Sequence, residues 1–165
     1  MKAVVVYESL WGNTAAIARA IAEGIGPDAR ALSTGEATPE ALAGADLVVA
    51  GAPILGFRLP TDGMRESARR EARPPDLSHP SMRSWLAHLP HGSGLSAAFE
   101  TRISWSPGSA AAAIDTELQA AGYARLAPPA KFVVKGKFGP LRDGETEKAR
   151  AWGADLARAL VAGRA

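Results

Sequence analysis

The sequence predicts a doubly wound α/β fold: a single domain over residues 1–165 with an open five-stranded parallel sheet, order 2-1-3-4-5, and helices on both faces. Three observations lead to it. Strand-like and helix-like segments alternate about five times along the chain, and parallel strands need such crossovers. The strongest strand segments are continuous apolar runs, the mark of strands buried on both faces. The length, 165 residues, suits one domain with a real core, whereas an eight-unit barrel needs about 250 residues.

The elements follow in order. "KAVVVY" (2–7) is β-branched and apolar, hence a buried strand. A helix is expected from Asn13 to Ile25, because Ile17, Ile21 and Ile25 share one face and Gly24, Gly26 and Pro27 stop it. "ARALS" (29–33) is a short strand. "TPEALAGA" opens a helix with Thr38 as N-cap and Pro39 in the first helical position. "DLVVAGAP" (46–53) is another buried strand, closed by Gly51 and Pro53. From Ile54 to about Pro80 the chain is irregular, with one short helix after Thr61. "SMRSWLAHLP" gives a helix ended by Pro90, and "LSAAFE" (95–100) the fourth strand. "SPGSAAAAIDTELQAAG" (106–122) predicts a helix capped by Ser106 with Pro107 first and Gly122 at its end. The last strand is expected over 131–135. Asp143 is then expected to cap a final helix whose first turn holds Glu145 and Glu147, with Trp152, Leu156 and Leu160 as its buried stripe.

Composition narrows the function. Hydrophobic residues are 47% and charged residues 22%, so the chain is globular rather than disordered. No apolar run reaches the ~18 residues of a membrane span, and Lys2 with "AVVVY" does not make a secretory signal, so a cytoplasmic location is expected. The absence of cysteine excludes disulfides, thiolate metal sites and thiol nucleophiles. Arg58, Arg65, Arg69, Arg70 and Arg73 crowd one stretch. They are read as a solvated helix face, with Glu66 and Arg70 at i,i+4 spacing, in preference to a docking patch. Nucleic-acid binding is not expected, for want of interleaved aromatics or a reading helix. His79, His88 and His91 lie close in sequence, but Pro90 interrupts them and no carboxylate completes a ligand set, so no metal site is expected. Ser9 and Ser96 lack the Gly-x-Ser-x-Gly elbow of a nucleophile.

In this architecture ligands sit beyond the carboxyl ends of the strands, where the first and third strands diverge. Three loops meet there: 8–14, 52–60 and 100–106. The first, in "YESLWGNT", passes straight into a helix through Ser9, Gly12, Asn13 and Thr14, with no Lys or Arg. A helix N-terminus offers unpaired N–H groups and about half a positive charge, so it attracts a phosphate without a cation. Ser9, Asn13 and Thr14 add neutral donors, and Gly12 permits close backbone approach. The Walker pattern and the dinucleotide Gly-x-Gly-x-x-Gly are both absent. Two readings stand: a cradle for one terminal phosphate, or a helix merely capped by Asn13 or Thr14.

These residues resemble a known family. "VVVYESLWGNT" ahead of an Ile/Ala-rich helix is similar to the phosphate loop of flavodoxins, roughly Ser/Thr-x-Thr-Gly-Asn-Thr, with matches at Ser9, Gly12, Asn13 and Thr14. "ADLVVAGAPI" resembles the third strand and second flavin loop, and "SAAFETR" the fourth strand and third loop. The tail "FGPLRDGETEKARAWGADLA" resembles that of small single-domain flavodoxin-like proteins of high-GC bacteria. The resemblance covers essentially the whole chain. It implies bound flavin mononucleotide (FMN), with Ser9, Leu10, Trp11, Gly12, Asn13 and Thr14 around its phosphate. Pro53, Ile54, Leu55, Gly56 and Phe57 form the second loop, and Glu100, Thr101, Arg102 and Trp105 the third.

The departures from that pattern are informative. Trp11 stands where the family has Thr, as a lid, a partner contact or a plug. Glu8 places a carboxylate just before an anion site, unfavourably unless it points away. Phe57 and Trp105 either flank the flavin ring or pack their own loops. Arg102 is expected near the pyrimidine edge. A unit charge ~7 Å away at an effective dielectric of about 20 is worth roughly 2 kcal/mol, or ~100 mV for one electron, unless Glu100 pairs with it. The functional expectation is an FMN-binding electron-transfer protein that exchanges electrons with a redox partner protein or a small donor or acceptor, with no acid–base residue of its own. The alternatives are a flavin-dependent reductase or oxidase of a quinone or porphyrinogen, and a flavin-free binding module.

Overall fold

The computed structural model describes residues 1–164. Its strands are β1 (Ala3–Tyr7), β2 (Ala29–Ser33), β3 (Leu47–Pro53), β4 (Leu95–Ile103), β5 (Ala124–Arg125) and β6 (Ala130–Val134). Its helices are α1 (Asn13–Ile25), α2 (Pro39–Leu42), α3 (Asp62–Ala68), α4 (Met82–Ala87), α5 (Ala111–Ala120) and α6 (Glu145–Ala162). All strand pairs are parallel. The sheet runs β2-β1-β3-β4 and then divides: β5 pairs with the start of β4, β6 with its end. The expected fifth strand is therefore two pieces along one edge. Pro128 and Pro129 lie between them and have no N–H to give a ladder.

Alternation along the strands feeds two cores. Val5, Val49, Ala97 and Phe99 face α1 and α6, where Ile17, Ile21, Leu156 and Leu160 close the layer. Val4, Val6, Val48 and Ala98 face Trp85, Leu86, Ile114 and Leu118 on the other side. The two long helices cross tightly at Gly24 and Gly153: a Cβ on either would overlap the other helix's backbone, at the carbonyls of Arg150 and Ile21. Trp152 is only partly buried, but it meets Phe99 and Phe132 edge-on.

Three local expectations need correction. Helix α5 begins at Ala111, not near Ser106, because the buried Glu100 carboxylate accepts from the Ala111 N–H (3.0 Å) and the Ser109 hydroxyl (2.7 Å) and so fixes the start from across the loop. Helix α6 is preceded by Gly144 at φ 85° with no side-chain cap; Asp143 points to solvent, 3.7 Å from Lys135. The arginine-rich stretch is not one solvated face. Arg65 is buried, α3 ends at Ala68, and Glu66 pairs with Arg69 (3.0 Å) rather than Arg70. The caps at Thr38, Thr61 and Ser81 each accept a helical N–H.

Candidate functional site

The carboxyl ends of β1, β3 and β4 bring the three loops around one cavity of about 240 Å³. Leu10, Trp11 and Asn13 line it from the first loop, Pro53 to Phe57 from the second, and Thr101, Arg102 and Trp105 from the third. Small-molecule sites usually span ~300–1,000 Å³. This one suits a planar ring system with the rest of the ligand outside, and is too small for a whole dinucleotide. Phe57 and Trp105 border it and are 56% and 74% exposed, so neither is tucked into its own loop. Phe57 is held at φ 66°, a backbone conformation strained for a non-glycine residue.

The first loop is more self-contained than its letters suggest. Ser9 Oγ accepts from the N–H groups of Gly12 (3.1 Å) and Ala15 (3.2 Å). The Thr14 hydroxyl is buried against that of Thr101 (2.8 Å). The Asn13 amide donates to the Phe138 carbonyl (3.2 Å). Gly12 adopts φ 91°, which turns the chain into α1. The backbone N–H groups of Trp11, Asn13 and Thr14 have no acceptor among the described residues. What remains free for an anion is thus backbone rather than side chain.

Trp11 is fixed on both sides. Its indole N–H donates to the Arg73 carbonyl (2.8 Å), and its ring meets Phe138 edge-on at 5.2 Å. It forms part of the cavity wall. The 73–79 segment straps over the same loop: Asp76 N–H donates to the Leu10 carbonyl (2.8 Å), and the Ser9 N–H donates to His79 Nε2 (3.3 Å). Burial holds His79 below the usual imidazole range, against Asp76.

Charge at the site is largely paired. Arg102 binds Glu100 (2.8 Å) and the Gly108 carbonyl (2.9 Å). Lys137, from the loop after β6, pairs with Glu71. Glu8 turns its carboxylate to the Met82 N–H and Arg65 and does not line the cavity. It is fully buried, accepts from Met82 N–H (3.0 Å), and burial pushes it up to about 7. Ser9, Gly12, Thr14 and Glu100 support the walls without lining the cavity. Sequence reasoning missed Ile103, Ser106, Val134 and Lys137 in the lining, and Phe138 behind it. The last loop also leaves the carboxyl edge of the sheet, which was the available signal. No group of three or more metal-ligating side chains occurs among the described residues, and none of their helices is long and apolar enough to cross a membrane.

No protein-family model matches the chain, and no curated protein matches it. Solved structures do. A flavodoxin from the domain Archaea superposes with TM-score 0.69 at 25% identity, covering 98% of this chain and 99% of that one. Oxidised Flavodoxin 1 from Bacillus cereus gives 0.67 at 20% identity, covering 96% and 98%. The rubredoxin oxygen:oxidoreductase of the anaerobe Desulfovibrio gigas gives 0.63 at 21% identity; 99% of this chain corresponds to 37% of that one.

Proposed function

This chain belongs with the flavodoxins by fold, and on that premise we propose that it binds FMN and carries electrons between a donor and an acceptor in the cytoplasm. One observation carries the reading. A ring-sized cavity lies at the sheet's switch point, bordered by two exposed aromatic side chains and by a helix N-terminus with free backbone N–H groups. Bound FMN would supply the redox chemistry. The chain's own part is to hold the phosphate at the N–H groups of Trp11, Asn13 and Thr14, and to pack the ring against Phe57, Trp105 and Leu55.

A second reading, a flavin-free module, is favoured by the engagement of the Ser9, Asn13 and Thr14 side chains within the fold. One titration separates the two. Addition of the protein to FMN is expected to quench flavin fluorescence with one-to-one stoichiometry. Unquenched emission at high micromolar protein would overturn the carrier.

A further inference from the structure

Glu8 leads into the first loop; its side chain is 0% exposed and does not line the cavity. Oε1 accepts from the Met82 N–H; Oε2 has no hydrogen-bond partner and lies 3.5 Å from Arg65 Nε. Arg65 is itself buried and donates from Nη2 to the His79 carbonyl (2.7 Å). His79 Nε2 in turn takes the Ser9 N–H. A buried carboxylate and a buried guanidinium are thus linked, through His79, to the loop that carries the free N–H groups. The other charges near Glu8 are Asp62 on α3 and Arg83 on α4; Asp76 acts on His79 from the strap. Arg83 spends its guanidinium on the carbonyls of Leu59 and Pro60, and Asp62 is exposed, so Arg65 is the main counter-charge to Glu8.

A carboxylate one residue ahead of an anion site would repel the ligand if it stayed ionised. We propose that Glu8 exchanges its charge for the ligand's: binding of a phosphate dianion at the first loop is accompanied by uptake of a solvent proton onto the Glu8 carboxylate. The inference rests on the FMN reading above. Before binding, ionised Glu8 balances Arg65. After binding, the dianion contributes negative potential at the same cation, and neutral Glu8 removes the like charge. The balance is simple: one carboxylate gains one proton from water, with no other bond made or broken. Glu8 is a positioning residue here, acting on the ligand through the loop and Arg65. Burial already brings its titration near neutrality, so a modest added field is enough to shift its protonation.

The test is calorimetric titration of FMN and of riboflavin, each in two buffers of different ionisation heat, between pH 7 and 9. The phosphate ester is then already dianionic, its second pKa being about 6. FMN binding is expected to take up a substantial fraction of a proton, and its Kd to rise with pH by up to about tenfold per unit. Riboflavin is expected to take up none. Glu8→Gln, which keeps an acceptor for Met82, is expected to bind FMN with no proton uptake and a flat pH profile. FMN binding without proton uptake by the unaltered protein overturns the inference and leaves the flavin reading intact. Uptake that persists in Glu8→Gln also overturns it, and points to His79. Failure of FMN to bind overturns the flavin reading, and this inference with it.

Discussion

The hydroxyls of Thr14 and Thr101 meet at 2.8 Å in a buried contact that ties the first turn of α1 to β4. One strand end and one helix start, 87 residues apart in sequence, share a single hydrogen bond. The first and third loops of the candidate site are therefore held in fixed relation from below.

Thr14→Val is expected to lower stability by about 1–2 kcal/mol, because it strands the Thr101 hydroxyl in a buried setting. The double variant Thr14→Val with Thr101→Val is expected to cost less than the sum of the single changes. Urea denaturation of the four proteins gives the coupling energy directly. Additive losses would mean that the two hydroxyls do not support each other.

Trp105 offers the opposite case. At 74% exposure its ring contributes little to folding. Trp105→Ala is expected to change stability by no more than ~0.5 kcal/mol. Loss of an aromatic contact is worth about 0.5–1.5 kcal/mol, so FMN affinity is expected to fall roughly two- to tenfold. Fluorescence titration beside a thermal melt reads both quantities. A large drop in melting temperature with unchanged affinity would assign the ring to loop packing.

Arg102 was legible as a cation of the third loop, and it lines the cavity, but its electrostatic weight was not legible. Its pairing with Glu100 at 2.8 Å offsets the field that a lone guanidinium would exert. Arg102→Gln in the FMN-loaded protein is therefore expected to move the midpoint potential by much less than the ~100 mV of an isolated charge. Redox titration decides: a shift near that full value would show the pair acting as a free cation.

What the sequence revealed divides along physical lines. Helix α1 could be bounded at Asn13 and Ile25 because its signals are local: isoleucines on one face and glycines at either end. The order of the sheet followed from buried runs and crossovers, and the cavity from the rule that ligands sit at the switch point. The start of α5 was misplaced because Glu100 caps it from a strand, and no local reading of Ser106 and Pro107 contains that contact. Likewise the Arg73 to His79 strap and the Phe138 loop reach the site by tertiary return, and the letters of either segment name no such partner. Trp11 stood out in the sequence as a departure, but its contacts, a ring 127 positions away at Phe138 and a carbonyl at Arg73, are not written in its neighbours.

The buried Glu8 also sets a pH dependence of stability in the ligand-free protein. Its carboxyl is raised from 4.5 to about 7 by burial, with Met82 N–H and Arg65 opposing. A raised carboxyl means that the folded state binds the proton more tightly than the unfolded state. The contribution is fully present below pH about 4.5 and is lost as pH rises through about 7. Across that window the loss amounts to about 3 kcal/mol. His79 works the other way: held neutral by burial, it withdraws stability as pH falls below its unfolded value of 6.5. The difference between the unaltered protein and Glu8→Gln cancels His79. Glu8→Gln is therefore expected to gain stability over the unaltered protein between pH 5 and 8, as read by urea midpoints at each pH. Equal differences at both ends of that range would mean that Glu8 does not titrate within it.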